Sequence, residues 1–135
     1  MGAFDALGIA SSGMAMHQTW LDTLGFNIAN VNTVRPTSQS AFQAQYVMAQ
    51  STQGPQGGTG VQVSGLALGG PVGRLVYQPD HPLADAKGYV RMPEIDLGSQ
   101  MTQLIMAQRG FQAQSQVIRN AQDVYSSALS IGRQS

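Results

Sequence analysis

The six prolines of this chain determine where long helices can form. All of them lie between Pro36 and Pro93, and the segments on either side contain none. Proline lacks a backbone N–H donor and its ring clashes with the preceding helical turn, so it is poorly tolerated inside a helix. Of the 135 residues, only the two ends are therefore available for long helices.

The N-terminal segment has the apolar spacing of an amphipathic helix. From about Asp5 to Thr33 its larger side chains recur in alternating steps of three and four residues, which is typical of a helix that packs against another helix. The positions on this contact line are Leu7, Ala10, Met14, His17, Leu21, Leu24, Ile28 and Val31. Serine and glycine at positions 11–13 weaken the first turns, so the spacing predicts a helix most strongly over 14–30.

The C-terminal segment repeats this pattern over a longer stretch. Glu94 and Asp96 stand where carboxylates stabilise a helix start, and Gly132 followed by Arg133 is typical of a helix end. The predicted contact line consists of Leu104, Ala107, Phe111, Gln114, Ile118, Ala121, Tyr125 and Ala128. Large residues alternate with small ones along it, which lets two helices approach closely. Gly110 costs about 1 kcal/mol relative to alanine and indicates a tight crossing.

The middle segment, residues 34–93, predicts a small insert of strands and loops. Gly54, Gly57, Gly58 and Gly60 indicate a flexible loop. Short runs of β-forming residues lie at 41–48, 60–66, 73–77 and 89–92. A segment this short and this rich in glycine is not expected to form a large core of its own.

The expected fold is mainly α. Long N- and C-terminal helices, in residues 1–33 and 94–135, pack as a coiled-coil-like pair with the β/loop insert 34–93 between them, in one structural unit. A helix over 95–131 is roughly 55 Å long, whereas a compact globule of this size is under about 40 Å across. Either the helix breaks, for instance at Gly110, or a second chain covers its apolar stripe. The arrangement predicts a subunit built for assembly.

Composition argues against several classes of function. Seven basic and seven acidic side chains balance, which argues against nucleic acid or an anionic membrane surface as the main partner. The chain has no cysteine, so thiolate metal sites and cysteine nucleophiles are excluded. No apolar run is long enough to cross a bilayer, and the first ten residues lack the features of a cleaved signal peptide. Only 10% of positions are charged, which suits a surface that meets copies of itself.

We expect no catalytic, metal or cofactor site, and hence no enzyme. His17 lies on the N-terminal contact line, where a polar residue helps to fix helix register. Asp80, His81 and Asp85 could together hold a cation, but a proline-bounded turn whose aspartates accept backbone hydrogen bonds explains them better. The glycine-rich segments lack the Gly-Lys-Ser/Thr ending of a phosphate-binding loop.

Two motifs resemble the axial proteins of bacterial flagella. The segment LGFNIANVNT at 24–33 is similar to the N-terminal signature shared by the rod, hook and filament proteins of that family. The segment LVYQPDHPLADAKGYV at 75–90, followed by MPEID at 92–96 and the stretch 101–114, is similar to segments of a proximal-rod member. The N-terminal signature is general to the family, whereas the second block is the more specific of the two.

The resemblance implies a structural subunit of the flagellar proximal rod in the basal body. Its end helices would assemble into a helical drive shaft that carries motor torque across the periplasm for motility. The implied partners are other copies of the chain, other rod proteins, the motor (MS) ring or a rod-base adaptor, and the flagellar type III export apparatus, which exports such proteins without a cleaved signal peptide. The alternative is another axial protein, of the distal rod or hook type. Nucleic acid and direct membrane insertion are not expected.

Candidate assembly residues follow from the two contact lines and the N-terminal signature. They are Met14, Leu21, Leu24, Asn27, Ile28, Asn30, Leu104, Phe111, Ile118 and Tyr125. Whether the large residues of the C-terminal line pack within the chain or against another chain stays open at this point. For Asn27, Asn30 and Asn32, helix termination is one interpretation, and the resemblance implies hydrogen bonding between helices or subunits as the other.

Overall fold

The computed structural model describes residues 2–55 and 57–134. Met1 and Ser135, at the ends of the two predicted helical segments, and Gln56, in the predicted glycine-rich loop, lie outside the described residues. The elements in chain order are α1 (Ala3–Ala29), β1 (Gln45–Gly54), β2 (Gly57–Leu68), β3 (Arg74–Tyr77), β4 (Tyr89–Met92) and α2 (Leu97–Gly132).

The expectation of a mainly α chain is met only in part. Helix accounts for 48% of the residues and strand for 22%, so the molecule is a helix pair with a substantial antiparallel β insert. The β content exceeds the expectation because β1 and β2 are 10 and 12 residues long. Both strands extend through positions that the sequence assigned to a loop.

The two helices pack against each other in antiparallel orientation. Three contacts show this orientation, because the residue number falls along α1 while it rises along α2. They join Asn27 to Gln100, His17 to Gly110, and Gly13 to Gln114. Helix α2 is continuous over its 36 residues. The break considered at Gly110 does not occur.

The ends of α2 follow the signals in the sequence. Asp96 is the N-cap, and its carboxylate accepts a hydrogen bond from the backbone N–H of Gly98 at 3.0 Å. This bond satisfies one of the donors that every helix start leaves unpaired. Glu94 precedes the helix, which ends at Gly132 with Arg133 as its C-cap.

Strands β1 and β2 form an antiparallel hairpin, so the prediction of a flexible loop over residues 54–60 is wrong. Gly54 pairs with Gly57, and two register shifts interrupt the ladder. Gly60 adopts φ +138° in β2, where an added Cβ would collide with the side chain of Ser12. Glycine is therefore needed there because the strand approaches α1 closely, not because the segment is a loop.

Helix α1 lies between the hairpin and α2. Asn27 bonds to Gln45 near the base of the hairpin, and the hydroxyl oxygen of Ser12 accepts the N–H of Val61 at 3.1 Å. These two points are about 22 Å apart along the helix and about 20 Å apart along the strands, so the helix and the hairpin run side by side. Within the described residues, α2 packs on α1 and on none of the strands.

Strands β3 and β4 form a second, smaller antiparallel sheet that leads into α2. The extended backbone of Arg35 adds a third member by pairing with Arg91 of β4. Val90 is completely buried in this sheet, and Pro93 is buried where the chain continues toward α2. Val90 and Pro93 thus give the region before α2 a small buried centre, although the insert has few buried residues elsewhere.

Candidate assembly surface

The assembly residues expected on α1 lie largely inside the single chain. Leu24 is 2% exposed and Asn27 is fully buried. Met14, Leu21 and Ile28 are half-buried. These side chains hold α1 against its intramolecular neighbours.

The large residues expected on α2 divide into two groups. Leu104, Phe111 and Ile118 are half-buried on the face toward α1, so their partner lies within the same chain. Tyr125 is 46% exposed, and its ring meets that of Phe4 edge-on with centroids 5.6 Å apart. Helix α1 begins beside this contact, at Ala3, whereas α2 continues beyond it for about two more turns.

Two glycines form notches that admit side chains from the opposite helix. A Cβ at Gly13 would stand 2.8 Å from Nε2 of Gln114, and a Cβ at Gly110 would collide with the imidazole of His17. The His17 ring is itself held, because its Nδ1 lies 2.8 Å from the carbonyl oxygen of Gly13. The tight crossing predicted at Gly110 is confirmed, and His17 lies where a register-fixing residue would act.

Asn27 is the centre of a buried hydrogen-bond network that joins three elements. Its amide nitrogen donates to the carbonyl oxygen of Gln45 at 2.8 Å and to the side-chain oxygen of Gln100 at 3.1 Å. Its amide oxygen accepts the N–H of Gln45, also at 2.8 Å. A side-chain amide thus pairs with β1 as a neighbouring strand would. Gln100, a buried polar residue of α2, was not found from the sequence, because its partner is 73 residues away.

The other two asparagines have more local positions. The side chain of Asn30 donates to the carbonyl oxygen of Phe26 at 2.9 Å, and its oxygen accepts the hydroxyl of Thr33 at 3.0 Å. Asn30 is also the C-cap of α1, so helix termination describes it. Asn32 is exposed, and its side chain makes no hydrogen bond within the described residues.

The sequence reading missed an apolar stripe on the outer side of α2. At 3.6 residues per turn, its members lie within about 40° of one another around the helix axis. The stripe is rotated by about 110° around that axis from the face toward α1. All of its members are exposed: Met106, Val117, Val124 and Ile131. The seven-residue spacing from Val117 to Val124 to Ile131 could have revealed this stripe in the sequence. The stripe is easily overlooked because it lies beside the stronger contact line and has few members in the first half of the helix.

A second apolar group lies near the start of α2, on the opposite side of the buried face. Leu97, Met101 and Ile105 follow one another at four-residue spacing and are each about half exposed. With α1 covering one face of α2, apolar side chains therefore flank that face on both sides. Surfaces of this kind mark sites of interaction with other proteins.

The block around His81 forms a turn rather than a cation site. The Asp85 carboxylate accepts the N–H groups of Tyr89 and Lys87, each at 2.9 Å, and the hydroxyl of Thr37 at 3.1 Å. These bonds, with that to Tyr89 the strongest contributor, lower the pKa of Asp85 below its ordinary value of 3.8. The turn interpretation is confirmed for Asp85.

The described residues show no other sign of a metal or membrane site. None of their acidic and histidine side chains cluster in a way that could hold a metal ion. Neither α1 nor α2 combines the length and the hydropathy required to cross a bilayer.

Comparison with known proteins places these features in a family. Residues 7–37 match the family model described as flagella basal body rod protein, and residues 86–131 match the C-terminal model of the flagellar basal body rod FlgEFG proteins. Both matched regions include most of one helix.

Full-length relatives extend the similarity across the insert. The chain is 33% identical over 134 residues to the flagellar basal-body rod protein FlgC of Yersinia enterocolitica and 31% identical to that of Escherichia coli O6:H1, in each case over 98% of this chain and 100% of the relative. It is 30% identical to the protein of the same description from Borreliella burgdorferi, over 97% of this chain and 98% of the relative.

Proposed function

The chain belongs to the FlgC family of flagellar basal-body rod proteins, and from this premise we propose that it stands in the proximal rod. As a structural rod subunit of the flagellum, it assembles with other rod proteins. The finer assignment is that its helix pair packs with those of neighbouring subunits into a helical drive shaft, which carries torque across the periplasm. The segments 1–33, 34–93 and 94–135 act in this role as one structural unit.

The single observation that carries this proposal is the excess of exposed surface. The accessible surface is 8770 Å², whereas a compact monomer of 14.3 kDa exposes about 6800 Å². A standard protein interface buries about 800 Å² on each partner. The difference of about 2000 Å² therefore exceeds the area that this chain would bury in two such interfaces. A subunit enclosed on several sides by neighbours in a shaft has this property.

The exposed apolar side chains of α2 indicate which surface the neighbours cover. Fully burying a large aliphatic side chain stabilises by about 1.5–3 kcal/mol, so covering one that is half exposed contributes about 1 kcal/mol. The outer stripe and the group at the start of α2 together supply seven such side chains. Many moderate contacts spread along one helix suit a shaft that must transmit torque without a single weak point.

The residues first expected at the interface keep a place in this proposal. Leu104, Phe111 and Ile118 hold α2 on α1, as do the α1 residues described above, and thereby present the outer face of α2. Tyr125 lies beside the first turn of α1 and is available to a neighbouring subunit directly. The description of the relatives as rod proteins supports a structural role for this chain and no enzymatic one.

Location and further partners follow from a position at the base of the rod. We infer export through the flagellar type III apparatus, and contact with the motor (MS) ring or a rod-base adaptor. A distal-rod or hook position is the alternative, because residues 86–131 match a C-terminal model named for FlgEFG proteins. The proximal position is favoured because relatives described as FlgC align over nearly the whole chain, including its short insert.

Motility in a strain that lacks its own copy of the gene tests this function. We expect Val124→Asp, on the outer stripe, to abolish rod assembly and swimming, because a carboxylate would be buried among apolar side chains. Ser127→Asp is the matched control, since Ser127 is exposed one turn away on a polar part of α2, and it should swim normally. Wild-type rods and swimming with Val124→Asp would refute the proposed surface.

A further inference from the structure

The β1–β2 hairpin has two open edges, and two side chains of α1 show which backbone groups face outward. The side chain of Asn27 accepts the N–H of Gln45 and donates to its C=O, and the hydroxyl oxygen of Ser12 accepts the N–H of Val61. In an antiparallel pair, successive residues alternate between facing the partner strand and facing away. Gln45 and Val61 face away from the partner strand, which fixes this alternation on both strands.

The outward positions follow from the pairing register. On β1 they are Val47, Ala49 and Ser51, and on β2 they are Val63, Leu66 and Leu68. The register shift after Met48 places its extra residue on β2, so the alternation along β1 is uninterrupted. Beyond Gln45 and Val61, these outward groups have no hydrogen-bond partner within the described residues.

The open edge of β1 lacks most of the usual protection against pairing with another strand. Natural edge strands are commonly guarded by charged side chains, proline or bulges. The sequence has no charged side chain between Arg35 and Arg74. Pro55 lies in the turn and not in either strand, so the two register shifts are the only such device within the described strands. Large apolar side chains flank the edges and are exposed: Tyr46, Met48, Leu66 and Leu68.

We propose that the open edge of β1 pairs, through backbone hydrogen bonds, with the open edge of β2 from a neighbouring copy of this chain. A charged partner strand would lose hydration without gaining a counter-ion, since neither strand carries a charge. The chain itself offers two uncharged strand edges, that of β2 and that of β1. This inference rests on the proposed rod function, because it requires copies to stand side by side.

The symmetry of a shaft favours this pairing over the alternative of β1 with β1. Two identical edges that pair form a closed two-fold dimer, which cannot continue. Pairing of β1 with β2 of the next copy uses two different surfaces, and such a contact propagates into a helical array. The backbone bonds fix the orientation of adjacent copies, while the exposed apolar side chains are covered beside them.

Residue-resolved amide hydrogen exchange on the free chain and on isolated rods tests the edge. In the free chain, the amides of Ala49 and Ser51 should exchange rapidly, whereas those of Met48 and Gln50, which face β2, should be protected. In rods we expect exchange at Ala49 and Ser51 to slow by at least about tenfold, with Met48 and Gln50 protected in both states. Unchanged fast exchange at Ala49 and Ser51 in rods would overturn the inference.

Cross-linking identifies the occupant, because the chain has no cysteine of its own. Copies with Ala49→Cys are mixed with copies carrying Leu66→Cys, assembled and treated with a short bis-maleimide. A dimer of the two variants is expected, and the control pair Ala49→Cys with Gln116→Cys, on the polar outer side of α2, should give none. Protection of the edge in rods without this cross-link would reject a second copy as the occupant.

A backbone variant separates this inference from the proposed function. Ser51→Pro removes one outward N–H and should lower rod yield severalfold, while Ser51→Ala, which keeps that N–H, should assemble normally. If Ser51→Pro assembles like Ser51→Ala, the edge pairing is wrong and the rod function stands. If the unaltered chain neither enters rods nor restores swimming, the proposed function fails and the edge pairing fails with it.

Discussion

Helices α1 and α2 have similar apolar contact lines in the sequence but different environments in the molecule. Helix α1 has neighbours on two sides, α2 and the hairpin, whereas among the described elements α2 packs on α1 alone. The fully buried Asn27 belongs to α1, and the outer apolar stripe belongs to α2. Apolar periodicity therefore shows which face of a helix packs, but it does not show how many of its faces are covered within one chain.

The same substitution in the two helices tests this difference most strongly. Leu24→Ala in α1 should lower the free energy of unfolding by about 2–5 kcal/mol, since Leu24 is 2% exposed and its loss leaves a cavity. Leu129→Ala in α2 removes a leucine that is 51% exposed and should change it by at most about 0.5 kcal/mol. Urea unfolding followed by circular dichroism measures both. Equal losses would show that α2 is as enclosed as α1.

Asn27 provides the second contrast, between a buried and an exposed asparagine of the same signature. Asn27→Ala removes three hydrogen bonds, which leaves the backbone N–H and C=O of Gln45 and the side-chain oxygen of Gln100 without the partner they have in the fold. We expect a loss of about 2–3 kcal/mol in unfolding free energy, because unsatisfied buried polar groups cost more than the bonds themselves contribute. Asn32→Ala, at an exposed position, should be within about 0.5 kcal/mol of the unaltered chain. A small effect at Asn27 would mean that water replaces its amide.

The contact lines were predictable because they depend on local periodicity alone. The faces of Leu104, Phe111 and Ile118 could be inferred from spacing, and so could the end of α2 at Gly132. The network around Asn27 could not, because it joins residues that are far apart in sequence and are brought together only by the packed fold. The hairpin was missed in part because a glycine such as Gly60 has the same composition signal in a loop and in a strand that touches a helix.

Two glycines, one in each helix, give a smaller effect of opposite sign. An added Cβ at Gly8 in α1 meets no neighbour, so Gly8→Ala should stabilise by about 0.5–1 kcal/mol through helix propensity. At Gly110 in α2 the same Cβ would collide with His17, and we expect a net loss of about 1–2 kcal/mol, typical of overpacking. Thermal unfolding measures both changes, and the double variant Gly110→Ala, His17→Ala should recover part of the loss. If Gly110→Ala were stabilising, the notch would have no role in helix register.

The smallest effect concerns the turn that precedes β4, where one carboxylate adds three hydrogen bonds to those of the backbone and no helix packs. Because hydrogen bonds from Tyr89, Thr37 and Lys87 lower the pKa of Asp85 below 3.8 in the folded chain, its ionised form stabilises the fold above that pH. This contribution is lost as the pH falls through the lowered pKa, when the carboxylate is protonated. The protection of the Lys87 and Tyr89 amides, taken relative to their intrinsic exchange rates at each pH, should therefore fall only under acidic conditions.

Asp85→Asn separates this local effect from general acid unfolding. The variant should show fast exchange at Lys87 and Tyr89 already at neutral pH, because a neutral amide is a weaker acceptor than a carboxylate, and it should converge with the unaltered chain at strongly acidic pH. The control Asp80→Asn alters an exposed aspartate of the same block and should leave both amides unchanged. If Asp85→Asn kept the neutral-pH protection, the charge of Asp85 would not order the turn, and the backbone hydrogen bonds of Asp85 with Tyr89 and Gly88 would suffice to hold it.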